Sequence, residues 1–331
     1  MTHSVSRRGK YLFLCLLLLA AVLLYMTVGV RFDKPMLLAY AMRLRSTKVA
    51  VMLLVAFAIG SASIVFQSII RNTIVTPCLL GINSLYSLVH TLVAFFLGTG
   101  SVLLRNGNVS FLLDLVIMGG AATFLYSYLF KKTRYNVLYV LLIGTMLTSF
   151  FSSIQNTLVR VMDPNEYETL LVTLVASFNN INEEIILVSA LILAAVVLAL
   201  RRELAVLDVI SLGKEQAINL GVDHDRVIRR LLLGVVLFIS VATALVGPIS
   251  FLGLIIANLS RQQFCTYRHT DLTAGAFLIG AVLLIAGQLL VEQVYTYSIP
   301  HQCIHHRGRR HLLFGSAAGP KKVKLTCLYR T

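Results

Sequence analysis

The chain is 331 residues long, 57% hydrophobic and only 13% charged, with a mean hydropathy of +0.83. An ordinary soluble domain carries about a quarter charged residues, so this composition excludes a soluble enzyme and points to a polytopic membrane protein counted in spans of about 20 residues. The formal charge of +15 comes from Lys and Arg in short loops between apolar runs, never interleaved with aromatics on a polar face, which excludes nucleic acid as a partner.

The first ten residues are basic, and the apolar run after them, "YLFLCLLLLAAVLLYMTVGV", is long enough to span and lacks a small-x-small cleavage site. It reads as a retained first span over 11–30 behind a short polar amino terminus, 1–10. Further spans are predicted at 49–70, 78–98, 110–130, 135–159, 184–200, 231–246, 248–260 and 273–292. The fold class is therefore all-α, a transmembrane helical bundle of nine or ten spans occupying 11–300. Residues 31–48 are left as a loop holding the cationic cluster Arg43, Arg45 and Lys48. Within the spans ionisable groups are scarce. His90 reads as an interhelical, hydrogen-bonded histidine, and Asp114, near a span end, as a carboxylate meeting water or a helix terminus.

The fifth span, "LLIGTMLTSFFSSIQNTL", and the later "ASFNNIN" are rich in Ser, Thr, Asn and Gln and carry no charge. Residues 201–230 form the largest polar connection. Inside it "LDVISLGKEQAINLGV" has apolar positions at helical spacing and two glycines, predicting a short helix from Lys214 to Leu220 stopped by Gly221. Such a knob either inserts into a partner or rests as an amphipathic helix on lipid head groups. From Leu231 to Ser260 there is no charge, yet Gly247-Pro248 interrupts the run. Thirty helical residues reach roughly 45 Å against about 30 Å of hydrocarbon, so two spans with a turn at the proline are predicted.

Counting Lys and Arg on alternate sides gives fifteen on the side of the amino terminus and of 201–230, and seven on the other. The first side is accordingly the cytoplasmic one. The five cysteines show no C-x-x-C spacing and define no metal or redox motif. No G-x-x-x-x-G-K-[ST] is present, so nucleotide phosphates are not cradled here by that motif.

Four separated segments resemble the FecCD family of iron-siderophore and cobalamin permeases, the membrane subunits of binding-protein-dependent ABC importers. "GPISFLGLIIANLSR" is similar to its G-P-I-x-F-x-G-L-x-x-P-H-x-x-R segment, with Ala257-Asn258 in place of Pro-His. "TPCLLGINSLYSL" resembles P-x-x-L-G-I-x-x-G-A, with Leu85-Tyr86 for Gly-Ala. "SLGKEQAINLGVD" matches S-L-G-x-x-x-A-x-x-L-G-V. "MRLRSTKVAVMLLVAFAIGSASIVFQSIIRN" resembles the R-L-P-R segment running to a Gln and an Asn-Pro, with Thr47 at the proline. The likeness covers roughly residues 10 to 300.

The resemblance implies a multi-pass protein of the bacterial inner membrane with a cytoplasmic amino terminus, working as the permease of a ferric siderophore importer, catecholate or mixed-type. It implies no catalytic residue, no metal site and no cofactor on this chain, with ATP and Mg on a partner. The implied partners are a second permease subunit, the same or different, a cytoplasmic ATPase dimer and a periplasmic siderophore-binding protein, with the ferric siderophore as cargo. By the same resemblance Ser211, Leu212, Gly213, Glu215, Ala217, Leu220 and Gly221 couple to the ATPase, and Arg43, Arg45 and Lys48 receive the binding protein. Thr145, Ser149, Ser152, Ser153, Gln155, Asn156, Ser177, Asn179 and Asn180 would line the translocation path, while Gly247, Pro248 and Gly253 make the outer turn.

The family continues with an apolar tenth span, but here 301–331 is a basic tail with His301, His305, His306 and His311. A helix of that composition does not cross hydrocarbon. The tail is read as a shifted reading frame rather than as a metal site. The alternative function is a secondary, ion-coupled carrier, which calls for carboxylates at the midplane and internal repeats; an intramembrane enzyme calls for paired catalytic groups at that depth.

Overall fold

The computed structural model describes residues 7–28, 35–98, 107–132, 137–178 and 183–297. Among them are twelve α-helices, one 3₁₀ turn and no strand. They are α1 (Arg7–Thr27), α2 (Pro35–Ile70), the 3₁₀ turn Pro77–Leu80, α3 (Ile82–Leu97), α4 (Gly107–Lys132), α5 (Val137–Val161) and α6 (Pro164–Leu174). Then follow α7 (Glu183–Ala205), α8 (Leu207–Ile210), α9 (Lys214–Asn219), α10 (His224–Val246), α11 (Leu252–Phe264) and α12 (His269–Tyr297). Residues 1–287 form one compact unit; of the second, 288–331, the described part is the end of α12. The reading of 301–331 as a frame-shifted tail falls outside the described residues.

Each of the nine predicted spans is a helix. Seven are long and apolar enough to cross a membrane, whereas α3 has 16 residues and α11 only 13. Two loops of the sequence reading are helical instead. Residues 35–48 are not a loop: α2 starts at Pro35 and runs unbroken for 36 residues, because proline suits a first helical turn and the Leu, Ala, Met, Arg and Lys that follow favour helix. The acidic stretch after α5 forms α6, where Asp163 accepts a hydrogen bond from the Asn165 N–H and Pro164 opens the helix.

The centre of the unit is α10 packed on α2, α4 and α7. From Leu231 to Val246 most of α10 is buried, and Val51, Val55, Ala58 and Ala62 of α2 are fully or almost fully enclosed. Without a hydrophobic drive between spans in lipid, close approach comes from small residues. A Cβ on Gly253 of α11 would stand 2.1 Å from the Ser63 hydroxyl of α2, and one on Gly60 would meet the Ala276 backbone of α12 at 3.3 Å. By contrast α1 leaves Leu12, Leu16, Leu19 and Leu23 uncovered, an apolar surface suited to lipid.

The two ends of the bundle are recognisable. Arg7 pairs with Asp271 at 3.5 Å, Lys10 donates to the Gln263 carbonyl, and the backbone N–H of His269 donates to Asp208 at 3.0 Å. The amino-terminal end of α1, the end of α11, the start of α12 and the 201–230 connection therefore share one face, as the charge count requires.

Candidate functional site

Of the predicted 201–230 connection, 201–205 end α7 and 224–230 begin α10, and the residues between them are two short helices set as a knob. Leu207, Ile210 and Ala217 are buried and pin it to the bundle, while Leu212, Ile218 and Leu220 are exposed. Glu215 also lies on the exposed side, and Lys214 pairs with Asp225 at 3.1 Å. Gly221 stops α9 in the left-handed region, φ +80°. Its N–H donates to Ile218 and that of Val222 to Ala217, the paired bonds of a Schellman cap. Gly213 has φ +118° and ψ 169°, a backbone region essentially reserved for glycine, and the Arg71 guanidinium lies against it. Both glycines of the sequence motif are thus needed where they stand.

At the base of the knob the structure gathers a group of residues of which the sequence reading singled out only Ser211. The Asp208 carboxylate accepts from the backbone N–H at the start of α12 and from the His269 ring Nδ1. On its other edge His269 Nε2 stands 2.7 Å from the Ser68 hydroxyl, which also accepts from Arg261 at 3.0 Å. Arg261 Nε donates to Gln67, whose amide donates to the Thr73 carbonyl. Ser211, between α8 and α9, donates to the backbone carbonyl of Asp208. Partial burial pushes the Asp208 carboxyl up, but the hydrogen bonds and charge of His269, with Arg268 nearby, outweigh it and hold it below the usual carboxylate range. Gln67, Ser211 and Arg261 each lie in one of the quoted segments, a signal that was available. Asp208 and His269 carry no such signal.

The polar residues of α5 fall on a face left largely uncovered by the rest of the chain. Thr145, Ser149, Ser153 and Asn156 are exposed, Ser152 and Gln155 half-buried. The hydroxyls of Thr145, Ser149 and Ser153 donate back to Leu142, Thr145 and Ser149 carbonyls, and Ser152 lies 3.5 Å from Ser84 of α3. Ser177 is exposed and its N–H donates to Val246 at the end of α10. Asn179 and Asn180 lie outside the described residues.

Gly247 ends α10 with φ +94°, and a Cβ there would meet the Ala176 backbone at 3.2 Å, so the segment after α6 closes over the turn. Pro248 follows in the extended link to α11. Gly253, expected in the turn, sits instead inside α11, where its lack of a side chain admits Ser63.

Arg43, Arg45 and Lys48 lie along α2, not on a loop. The Arg45 guanidinium donates to the Tyr25 and Val28 carbonyls and covers the Tyr25 ring, so it closes the end of α1 rather than standing ready for a visitor. Asp114 does not meet water: it is buried on α4, 2.8 Å from His90 Nε2 of α3, a close contact rather than an aligned hydrogen bond, with the Tyr86 ring against the imidazole.

The sequence profile of the FecCD transport family matches residues 11–305. The chain is 38% identical over 259 residues to the petrobactin import system permease protein YclO of Bacillus subtilis (strain 168), covering 78% of this chain and 82% of that one. It is 31% identical over 269 residues to the petrobactin import system permease protein FatC of Bacillus anthracis, covering 80% and 75%. In solved structures the fold recurs, with TM-score 0.73 and 23% identity over 89% of this chain and 93% of the other, in an inward-facing metal-chelate type ABC transporter. Seven apolar spans, the fold of an ABC importer permease and a profile match over most of its length place this chain in the FecCD transport family.

Proposed function

We propose that this chain is the permease subunit of an ATP-driven, binding-protein-dependent importer of ferric siderophores, of the class that includes petrobactin. It forms half of a path through the membrane with a second permease, identical or different, and does no bond chemistry itself. The single observation that carries the reading is the knob: three apolar side chains, Leu212, Ile218 and Leu220, held out from a helix with both ends fixed by glycine. Exposed apolar residues on a rigid support mark a docking surface, and the partner such a permease requires is a cytoplasmic ATPase. This sets the knob face and the amino terminus in the cytoplasm and leaves Arg43 and Lys48 at the periplasmic end, to meet acidic side chains of a binding protein.

The uncovered polar face of α5, with Ser177 beyond it, supports the same reading. Uncharged hydroxyls and amides offer weak contacts to a large chelate without retaining it, and they would be poorly placed against lipid. An ion-coupled carrier has one feature in its favour, the buried His90–Asp114 pair. The pair is buried between α3 and α4, with the Tyr86 ring against the imidazole. Uptake of ferric petrobactin in cells carrying the full set of subunits separates the two: it stops when the ATPase is inactivated if the importer reading holds, and persists on an ion gradient if it does not.

A further inference from the structure

The segments that carry the family resemblance are far apart in the chain, yet Gln67, Ser211 and Arg261 come together at one point, under the knob. What joins them is a continuous run of directional contacts. Ser211 at the knob donates to the Asp208 carbonyl; the Asp208 carboxylate takes the His269 ring and the first N–H of α12. The His269 ring meets Asp208 through Nδ1 and the Ser68 hydroxyl of α2 through Nε2, and that hydroxyl, which gives its own proton to the Ile64 carbonyl, accepts from Arg261 of α11. Arg261 then holds Gln67, one residue before Ser68. Four pieces of the fold, the knob, α2, α11 and α12, meet in this chain.

Leu207, Ile210 and Ala217 add buried apolar contacts at the knob's base, and on its exposed side Lys214 pairs with Asp225 of α10. Apolar contacts are non-directional, so a knob held by them alone slides on its seat. Hydrogen bonds fix distance and angle. Here His269 and Ser68 are buried, 7% and 5% exposed, so separating them strands polar atoms away from water and the connection resists opening.

We propose that Asp208, His269, Ser68 and Arg261 form a latch that converts displacement of the knob into movement of α2, α11 and α12, with His269 as the positioning residue at its centre. The latch rests on the reading of the knob as the ATPase docking element. It touches neither cargo nor nucleotide, and acts through the helices it ties together.

The test uses the full chain, assembled with its partner permease and ATPase in proteoliposomes, and reads ferric petrobactin moved per ATP hydrolysed alongside ATPase retained on purification. Asp208→Ala is the first variant, since that side chain is half exposed and its loss leaves the bundle packed. It and His269→Ala keep the ATPase bound and hydrolysing but lower the transport-to-hydrolysis ratio about fivefold or more, the range of a coupling free energy. Asp208→Asn, which keeps an acceptor oxygen for the His269 ring and N–H, returns the ratio close to that of the unmodified chain. A ratio unchanged in both alanine variants overturns the latch. Leu212→Glu with Leu220→Glu tests the underlying reading separately: the ATPase dissociates. If it remains bound and transport continues, the knob is not its seat and the latch falls with it.

Discussion

Arg45 of α2 and Tyr25 of α1 form a single capped joint: the guanidinium donates to the Tyr25 carbonyl, lies 5.4 Å above the centre of its ring, and reaches the Val28 carbonyl at 2.7 Å. The last carbonyls of α1 have no helical partners, and a cation there also meets the negative end of the helix dipole. Arg45→Ala therefore destabilises the purified protein by about 1–2 kcal/mol, read by thermal unfolding in detergent. Arg43→Glu and Lys48→Glu act elsewhere, slowing association with the binding protein up to about fivefold each. Association rates indifferent to salt and to both changes would remove these two residues from the docking surface.

The two knob glycines are distinguishable by their backbone. Gly221 is left-handed with open space around its Cα, so Gly221→Ala costs about 1 kcal/mol and Gly221→Asn less. Gly213 occupies a region closed to other residues, and Gly213→Ala costs about 1–3 kcal/mol. Thermal unfolding should show the smallest loss for Gly221→Asn, a larger one for Gly221→Ala and the largest for Gly213→Ala, and equal costs at both sites would contradict the geometry.

The reading of this knob from sequence succeeded because capping leaves a local mark: a glycine after a short amphipathic run. The expected Lys214–Leu220 helix differs from α9 by one terminal residue. The loop assigned to 31–48 failed for the opposite reason. Three cations drew the eye, and nothing local says that α2 extends past the apolar segment beneath them. The environment of Asp114 was equally hidden, because His90 is a long-range partner whose approach is set by how α3 packs on α4. The base of the knob was half legible: Gln67, Ser211 and Arg261 stood in recognisable segments, but only folding shows that they share one site with Asp208 and His269.

His90 and Asp114 form a buried pair, and removing one member leaves the other stranded. His90→Leu costs about 3–5 kcal/mol, whereas His90→Leu combined with Asp114→Leu recovers a large part of it. A double-mutant cycle on the detergent-solubilised protein measures this; simple additivity of the two single changes would show that the contact carries no energy.

Along α5, replacing Ser149, Ser153 and Asn156 together by Leu lowers ferric petrobactin uptake roughly tenfold, equivalent to about 1.4 kcal/mol on the passage barrier. ATP hydrolysis by the assembled importer continues. Uptake at the unmodified level would place the path on another face.

Acid weakens the contact between Asp208 and His269 in a defined direction. The carboxyl is held below its usual range, so its contribution to stability is complete above about pH 4, the unfolded value, and disappears as the pH falls through the depressed one. Unfolding curves of Asp208→Asn and the unmodified chain should differ at pH 7 and converge in strong acid. Convergence already at pH 6 would mean that the carboxylate gains nothing from its partners.

The hydroxyls of Thr145, Ser149 and Ser153 each spend their one proton on a carbonyl of their own helix. What remains pointing outward is lone pairs. Those three positions can accept a hydrogen bond from cargo but not give one, which leaves the Gln155 and Asn156 amides as the donors of this face. If cargo passes along this face, as proposed, it meets only weak contacts, and its direction is decided by whichever mouth of the channel is open.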